Sequence, residues 1–258
     1  MERRFELMCE VEPAVRPDLM GVRHQIGVMS RVARRFLIPD NHIGRATVSS
    51  IAVAHEVDRM GGRAVACLNA RDRNVLGFRR DLLTAAAYGV DEFLFVYGDR
   101  PETGARSDDL TVRSMITEAR RFSDETLGPD QSFRIGVSTR LQALPEWKRQ
   151  ADFLCVQVGF SAEDLTRWRR TVEFDGPVFA GVMVLASASM ARKLSVDIPQ
   201  LRIPDTIVSM VERDRRAGVD IACDLVGAIR DSGAFEGVHL IPVGRYRDVA
   251  ARLEATPM

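Results

Sequence analysis

The sequence predicts an α/β protein built as a single (β/α)8 TIM barrel spanning residues 1–258. Short apolar runs alternate with longer amphipathic segments from one end of the chain to the other. This alternation indicates strands joined by helices in a parallel sheet. The length of 258 residues is close to the ~250 residues typical of one such barrel. No Gly-x-Gly-x-x-Gly follows the first apolar run, so nothing favours an open dinucleotide-binding sheet.

Eight apolar runs are predicted to form the strands. Several are almost continuously hydrophobic, which is typical of parallel strands buried on both faces. The clearest are Leu94-Phe95-Val96 and Leu154-Cys155-Val156. In chain order, the predicted strands cover residues 5–11, 36–39, 64–68, 92–97, 133–138, 153–158, 178–184 and 238–242.

The segments between these runs have apolar positions at helical spacing. Gly61, Gly89 and Gly233 follow such segments, where a helix C-terminus favours glycine. The Met-rich segment 183–190 is interpreted as core filler. Segment 100–109 is predicted to be irregular, either a lid or a solvated connection. The predicted helices cover 21–34, 47–59, 74–88, 110–122, 145–150, 162–170, 204–217, 220–231 and 246–253.

Composition excludes several classes of partner. Lys plus Arg and Asp plus Glu both number 36, which gives a formal net charge of zero. Neither a nucleic-acid surface nor attraction to an anionic membrane is therefore expected. No apolar run approaches the ~20 residues needed to span a bilayer, and the charged first residues do not resemble a secretory signal. We expect a cytoplasmic protein, and the sequence leaves its oligomeric state open.

Cysteine and histidine patterns give no indication of a metal site. The four cysteines form no CxxC pair, and most lie in apolar runs, which is typical of small buried side chains in a reduced protein. His55-Glu56 resembles the start of a zinc motif, but no second His follows four residues after the first. The cysteines are Cys9, Cys67, Cys155 and Cys223.

Polar side chains end most of the predicted strands. In a barrel these ends share one rim, which is where catalytic groups lie, and together they suit a flat heteroaromatic ligand with donors and acceptors on its edge. Gln157 is informative because a buried amide in a strand needs hydrogen-bond partners. The rim candidates are Glu10, Glu12, Asp40, Asn41, Asn69, Arg71, Asp72, Arg73, Asn74, Asp99, Gln157 and Arg245.

Structural interpretations of the same residues stay open. Glu10 is equally compatible with a surface charge at a strand end. Asp72 is as compatible with capping the next helix, or pairing with an Arg, as with touching a ligand. Gly98-Asp99-Arg100-Pro101 consists of turn-forming residues and is compatible with a simple turn.

Taken together, the motifs resemble those of methylenetetrahydrofolate reductases, single-barrel enzymes of one-carbon metabolism. The resemblance covers nearly the whole chain, and its specificity comes from the combination of motifs. The matching motifs are Glu10-Val11-Glu12-Pro13, Asn69-Ala70-Arg71-Asp72-Arg73-Asn74, Asp81-Leu82-Leu83, Gly89-Val90, Gly98-Asp99-Arg100-Pro101, Gln157 with Phe160, Arg202-Ile203-Pro204 and the segment 218–224.

The resemblance implies a role for each matching position. Glu10 corresponds to the catalytic acid that protonates a ring nitrogen, so that the methylene bridge opens to an iminium. Asp99 and Gln157 correspond to residues that bind the pterin, and Arg245 lies near a basic residue of the folate site. The implied reaction is hydride transfer to 5,10-methylenetetrahydrofolate, giving 5-methyltetrahydrofolate for methionine biosynthesis. Glu56 is a second carboxylate, expected to be a surface or helix-packing charge.

Several positions depart from family members that hold FAD. Tyr97 stands where they carry Arg, Cys67 stands where they carry His, and Ala188 replaces the Phe over the substrate. Their Tyr-Pro-Glu-x-His-Pro stretch after the fifth strand is replaced by segment 138–145. FAD binding is therefore doubtful, and we hypothesise that NADH or NADPH hands over hydride directly.

Three alternatives remain at the level of sequence. One is a folate- or pterin-binding barrel protein or partner subunit without reductase turnover. Another keeps the reaction class but uses a deazaflavin donor or a related pterin acceptor. The third is a barrel enzyme with an unrelated substrate, because this fold supports many chemistries.

Overall fold

The computed structural model describes residues 5–128, 131–198, 201 and 203–255. In this part of the chain, eight parallel strands close into a barrel in sequence order, with β8 pairing back onto β1. The predicted (β/α)8 barrel is therefore confirmed. The strands are β1 Glu6–Glu10, β2 Arg35–Ile38, β3 Arg63–Asn69, β4 Glu92–Val96, β5 Arg134–Thr139, β6 Phe153–Val158, β7 Val178–Met183 and β8 Gly237–Ile241.

Helices follow the strands and form the outer layer of the barrel. Two short 3-10 helices, His42–Gly44 and Glu146–Gln150, lie in the loops after β2 and β5. The α-helices are α1 Met20–Met29, α2 Ser50–Arg59, α3 Val75–Ala87, α4 Val112–Thr126, α5 Ala162–Thr171, α6 Ala188–Asp197, α7 Asp205–Arg213, α8 Ala217–Asp231 and α9 Tyr246–Ala255.

The predicted elements differ from the observed ones mainly after β5 and β7. Segment 145–150 forms a 3-10 helix. Segment 183–190, interpreted as core filler, contributes the buried Val184 and Leu185 to the core. It also joins the end of β7 to the start of α6, a helix that the sequence analysis missed. The hydroxyl of Ser187 caps α6 by accepting a hydrogen bond from the backbone N–H of Met190, at 3.1 Å. Ser is a favoured N-cap, so this local feature could have indicated the helix. Arg202 lies outside the described residues.

The barrel interior is filled by a buried apolar layer. Side chains alternate between lumen and helix layer along each strand, and those on the lumen side pack into one cluster. Its members are Met8, Leu37, Val65, Cys67, Leu94, Phe153, Cys155 and Phe179.

An arginine network closes the end of the barrel from which the strands begin. Arg35 is only 1% exposed; its guanidinium donates to Glu6 at 2.9 Å and also to Glu92. The guanidinium carbon of Arg35 also lies 5.1 Å and 4.7 Å from the ring centroids of Phe153 and Phe179. Paired charges and aromatic rings therefore fill the lumen at this end of the barrel. The lumen opens at the other end, where the strands finish.

All four cysteines are buried free thiols, as expected from their apolar surroundings. Burial raises the pKa of Cys155 to about 12 and that of Cys223 to about 11. Neutral thiols are poor nucleophiles and poor metal ligands. No group of three or more metal-binding side chains is found among the described residues. Within the same residues, no helix has both the length and the apolar character needed to cross a membrane.

Gly136 on β5 leaves the space that the lumen ring of Phe153 occupies. A Cβ at this position would lie 2.2 Å from Cε2 of Phe153. Because that ring is fully buried, we expect Gly136→Ala to lower the free energy of unfolding by about 1–3 kcal/mol through overpacking. Urea denaturation followed by circular dichroism measures this change.

Gly227 on α8 provides the matched control. A Cβ there meets no atom within 4 Å, and alanine is favoured over glycine inside a helix by roughly 0.5–1 kcal/mol. Gly227→Ala should therefore match or exceed the wild-type stability. Equal stability of the two variants would contradict the packing proposed for the lumen.

Candidate active site at the carboxyl end of the barrel

Glu10 ends β1 at the open mouth of the barrel and is largely shielded from water. Its side chain is 10% exposed, and its Oε2 lies 3.2 Å from Nε2 of His239 on β8. This contact lacks hydrogen-bond geometry, and Nε2 is buried without a hydrogen-bond partner. The interpretation of Glu10 as a solvent-facing surface charge is thus not supported.

The apolar layer of the lumen lies beneath this carboxylate. Burial raises the pKa of the Cys67 thiol well above its usual value, and the negative charges of Glu10 and Asp40 raise it further. Glu10 also contributes to the raised pKa of Cys155. These electrostatic effects place Glu10 close to the neutral thiols of the lumen.

Asp40 belongs to a hydrogen-bonded network at the ends of β2 and β3. Its Oδ2 accepts hydrogen bonds from the Asn69 side chain at 2.7 Å and from Arg73 at 2.5 Å. Arg73 also pairs with Asp81 at 2.8 Å. The Asp40 carboxylate is therefore saturated by protein groups, and this part of the rim serves to fix the loops.

Asp72 extends the same network, and the structure decides between the two structural roles considered for it, capping a helix and pairing with an arginine. It pairs with Arg71 at 2.8 Å and accepts hydrogen bonds from Asn41 and Asn69. Burial raises its pKa, but these hydrogen bonds outweigh that effect and hold the pKa below the usual value. Asp72 pairs with an arginine rather than capping α3, which Asn74 caps by accepting from the backbone N–H of Gly77.

Gln157 lies at an irregularity near the end of β6 and is exposed at the mouth. Cys155 pairs with Phe179 and Val158 pairs with Gly181, so β6 carries one more residue than β7 between these pairs. A Cβ on Gly181 would lie 2.4 Å from the carbonyl oxygen of Val156, so only glycine permits this close approach. Bulges of this kind redirect side chains near active sites. Gln157 was expected to be a buried amide; instead it has no hydrogen bond to another described residue and is open to a ligand.

Asp99 is exposed and accepts a hydrogen bond from the loop after β2. Its Oδ2 accepts a hydrogen bond from the backbone N–H of Ile43 at 3.2 Å. Ile43 has a positive φ of 58°, and Gly44 packs directly against the carbonyl of Arg100. Asp99 therefore joins the loops after β2 and β4, which supports the turn interpretation while keeping its carboxylate at the rim.

Arg245 follows β8 and is held at the start of α9. Its Nε donates to Asp248 at 2.6 Å, and its Nη1 donates to the carbonyl of Arg215 at 3.2 Å. The side chain remains 26% exposed. An arginine that already has partners can bind a ligand only with its remaining donors.

The irregular segment 100–109 lies against the rim network. The backbone N–H of Ser107 donates to the carbonyl of Arg71 at 2.6 Å, and Asp109 accepts from the backbone N–H of Val75. The Arg71 side chain beneath it is 2% exposed, and its Nη1 has no hydrogen-bond partner. The segment is thus tied to the backbone of Arg71, whose buried guanidinium has a nitrogen without a hydrogen-bond partner.

A cavity of about 400 Å³ opens between the ends of β4 and β5. Lys148, in its wall, donates from Nζ to the carbonyl of Ser138 at 2.6 Å and lies 5.5 Å from the ring centroid of Trp147. Burial lowers the pKa of Lys148, and the charge of Arg140 lowers it further. Sequence reasoning missed this aromatic and cationic pair, although both residues lie in the segment 145–150 that it predicted to be helical. The cavity is lined by Tyr97, Thr111, Val112, Arg113, Ser138, Trp147 and Lys148.

A larger cavity of about 540 Å³ lies at the opposite end of the barrel, near the starts of β3, β4 and β5. Charges of both signs line it, including Arg63, Asp91 and Arg134. Active sites of this fold lie at the carboxyl ends of the strands, whereas the other end contributes to stability. The smaller cavity at the mouth is therefore the better candidate.

Glu56 lies on α2 in the outer helix layer, away from the mouth. It forms an ion pair with Arg23 of α1 at 2.7 Å. The hydrogen bond from Arg23 lowers the pKa of Glu56 despite its partial burial. The expectation that Glu56 is a helix-packing charge is confirmed.

The barrel therefore brings Glu10, Gln157, Asp99 and Arg245 to one end, but they differ in exposure and in their hydrogen-bond partners. Glu10 is shielded and lies 3.2 Å from His239. Within the described part of the chain, the Gln157 side chain forms no hydrogen bond, whereas Asp99 and Arg245 have protein partners. His239 was missed by sequence reasoning, although it lies on a predicted strand adjacent to the first.

Comparison with known proteins supports the fold. Neither a known family pattern nor a curated protein sequence matches this chain. Solved structures with the same architecture include an uncharacterised protein from Clostridium thermocellum that binds two copies of 5-methyl-5,6,7,8-tetrahydrofolic acid. It superposes with a TM-score of 0.60 at 9% identity, over 97% of this chain and 93% of that chain.

Two enzymes with other activities superpose similarly. The EDTA monooxygenase of Chelativorans sp. BNC1 has a TM-score of 0.55 at 10% identity, over 98% of this chain and 94% of its own. The spore cortex-lytic enzyme SleL of Bacillus cereus has a TM-score of 0.58 at 9% identity, over 99% of this chain and 75% of its own. Because these proteins differ in activity, the chain shares their barrel fold, and its function has to be argued from its own site.

Proposed function

We propose that this protein binds a reduced folate at the carboxyl end of its barrel and reduces 5,10-methylenetetrahydrofolate to 5-methyltetrahydrofolate. NADH or NADPH is the proposed hydride donor, without FAD. Glu10 is the proposed acid, and Gln157, Asp99 and Arg245 are the proposed folate-binding residues. The motifs shared with methylenetetrahydrofolate reductases support this proposal, as does a folate-binding neighbour of the same fold.

The shielded carboxylate of Glu10 is the observation that carries the proposal. A general acid is a positioned side chain that gives its proton to the reacting group, and Glu10 lies at the mouth where the folate is proposed to bind. Glu10 is 10% exposed and lacks a cationic arginine or lysine partner among the described residues. Asp40, by contrast, is paired with Arg73.

The proposed reaction requires one proton and one hydride. The reduced nicotinamide supplies the hydride when it is bound, and Glu10 delivers the proton to a ring nitrogen of the folate. Gln157 offers both a donor and an acceptor to the edge of a pterin ring. The products are then 5-methyltetrahydrofolate and the oxidised nicotinamide, which balances the reaction.

The cavity between β4 and β5 supports the presence of a second planar ligand. Tyr97 and Trp147 offer aromatic faces, and Lys148 and Arg113 offer positive charge. A nicotinamide nucleotide and a folate tail both combine planar rings with anionic groups. The cavity has the chemistry that either requires.

Two positions do not fit FAD in the way that FAD-binding methylenetetrahydrofolate reductases hold it. Tyr97, which replaces an arginine, is 48% exposed, and its ring centroid lies 5.8 Å from the guanidinium carbon of Arg106. Cys67, which replaces a histidine, is buried in the apolar lumen layer with a raised pKa, and a thiol is only a weak donor. These two positions offer a flavin little hydrogen bonding.

Glu10→Gln tests the proposed acid. The amide keeps the shape of the side chain but cannot deliver the proton, so we expect turnover to fall roughly 10²–10⁴-fold. The dissociation constant for 5-methyltetrahydrofolate should change little. NAD(P)H oxidation with methylenetetrahydrofolate measures turnover, and fluorescence titration measures binding.

Glu163→Gln is the matched control, because Glu163 lies on the outer helix α5 with a side chain 84% exposed. It should keep wild-type turnover. Full activity of Glu10→Gln would overturn the assignment of the acid.

Purification followed by visible absorption spectroscopy tests the absence of flavin. We expect a colourless protein whose NAD(P)H oxidation is unchanged by added FAD, because Tyr97 and Cys67 leave a flavin without its partners. Stoichiometric FAD that survives gel filtration would contradict this part of the proposal.

A folate-binding protein without turnover is the second candidate, and the methyltetrahydrofolate-binding neighbour favours it. It predicts tight binding of 5-methyltetrahydrofolate with no oxidation of NADH or NADPH. In that case Glu10→Gln would affect neither binding nor any reaction. The same two assays therefore separate the candidates.

A further inference from the structure

The imidazole of His239 is a buried titratable group that the proposed reaction does not yet use. It lies on β8, whose residues pair with those of β1 in register, Met8 with His239 and Cys9 with Leu240. The residue is 8% exposed. Its Nε2 has no hydrogen-bond partner, yet lies 3.2 Å from Oε2 of Glu10. A buried nitrogen without a partner is unusual in a folded protein.

We propose that His239 and Glu10 act as one proton-sharing unit, in which His239 is the positioning residue for the acid. This inference rests on the proposed function for its catalytic meaning. A small rotation of either side chain turns the 3.2 Å contact into a hydrogen bond. The neutral imidazole then accepts from a protonated Glu10. After Glu10 has given its proton to the folate, the imidazole takes up a proton from solvent and donates it to the carboxylate.

The titratable groups around this pair are neutral thiols or charges that already have a partner. β7 and the rest of β8 carry no titratable side chain. Cys9 on β1 is influenced by Cys223 on α8, and burial raises the pKa of both thiols, which keeps them neutral.

On the other side of Glu10, burial likewise keeps the Cys67 and Cys155 thiols neutral. Asp40 also acts on Cys67, and Arg73 compensates its charge. Arg35 and Glu92 act on Cys155 and are paired with each other. Arg245, in the loop after β8, is paired with Asp248. His239 is therefore the group placed to exchange a proton with Glu10.

This arrangement gives the acid a source of charge compensation. When Glu10 donates its proton to the folate nitrogen, a carboxylate with little contact with water is left beside His239. A proton on His239 offsets that charge through a charge-assisted hydrogen bond. Two groups coupled in this way titrate in macroscopic steps that belong to the pair.

An NMR titration of the histidine side chains tests the coupling without any turnover. The chain has four histidines, and His239→Gln assigns the resonance. In the wild-type protein we expect the His239 resonance to report two titration steps, whereas in Glu10→Gln it should report one. Resonances of His24, His42 and His55 serve as internal controls. An identical single midpoint for His239 in both proteins would overturn the proposal.

The pH profile of NAD(P)H oxidation tests the catalytic consequence. We expect His239→Gln to keep the KM for folate, to lower kcat about 10-fold or more, and to move the basic limb of the profile to lower pH by about 1 unit. A purely structural role would lower activity without moving that limb. Circular dichroism and thermal melting check that the variant is folded.

The two experiments separate failure of this inference from failure of the proposed function. Coupled titration without turnover would retain the proton-sharing pair and reject the reductase. Turnover with an unmoved limb and an uncoupled His239 would retain the reductase and reject the pair.

Discussion

Closure of a parallel barrel is the constraint on which the rest of this structure depends. Once β8 pairs with β1, every strand has its carboxyl end at the same rim, and every second side chain must fit inside a lumen of fixed width. The chain fills that lumen with an apolar layer and pairs Arg35 with Glu6 and Glu92 below it. The polar side chains that could contact a ligand in the barrel are thereby found at the mouth.

The carboxylates at the mouth differ because their partners differ. Asp40 and Asp72 are bound by arginines and amides, and these contacts fix the loops after β2 and β3. Glu10 contacts an imidazole whose facing nitrogen is otherwise unpartnered. One rim therefore holds two carboxylates that are paired with arginines, Asp40 and Asp72, and one carboxylate, Glu10, that faces a histidine. This division separates the residues that shape the pocket from the residue proposed to act in it.

Comparison of the sequence with the structure shows which features local patterns can predict. The eight strands were predicted because parallel strands buried on both faces leave continuous apolar runs, such as 94–96. Helix α6 was missed because its cap, Ser187, stands beside a Met-rich stretch without clear helical spacing. The bulge at Gln157 could not be predicted, since it depends on Gly181 of the neighbouring strand allowing a close backbone approach.

By itself, the sequence determined the architecture and the set of polar residues at the strand ends, because alternating apolar and amphipathic segments are local properties of the chain. The tertiary structure decided how each of those residues is used. Glu10 and His239 are separated by almost the whole chain, and only barrel closure brings β1 beside β8. Likewise, Asp99 becomes a link between two loops only because the loop carrying Ile43 lies against it. Contacts between residues distant in sequence depend on how the strands close, and no local pattern records them.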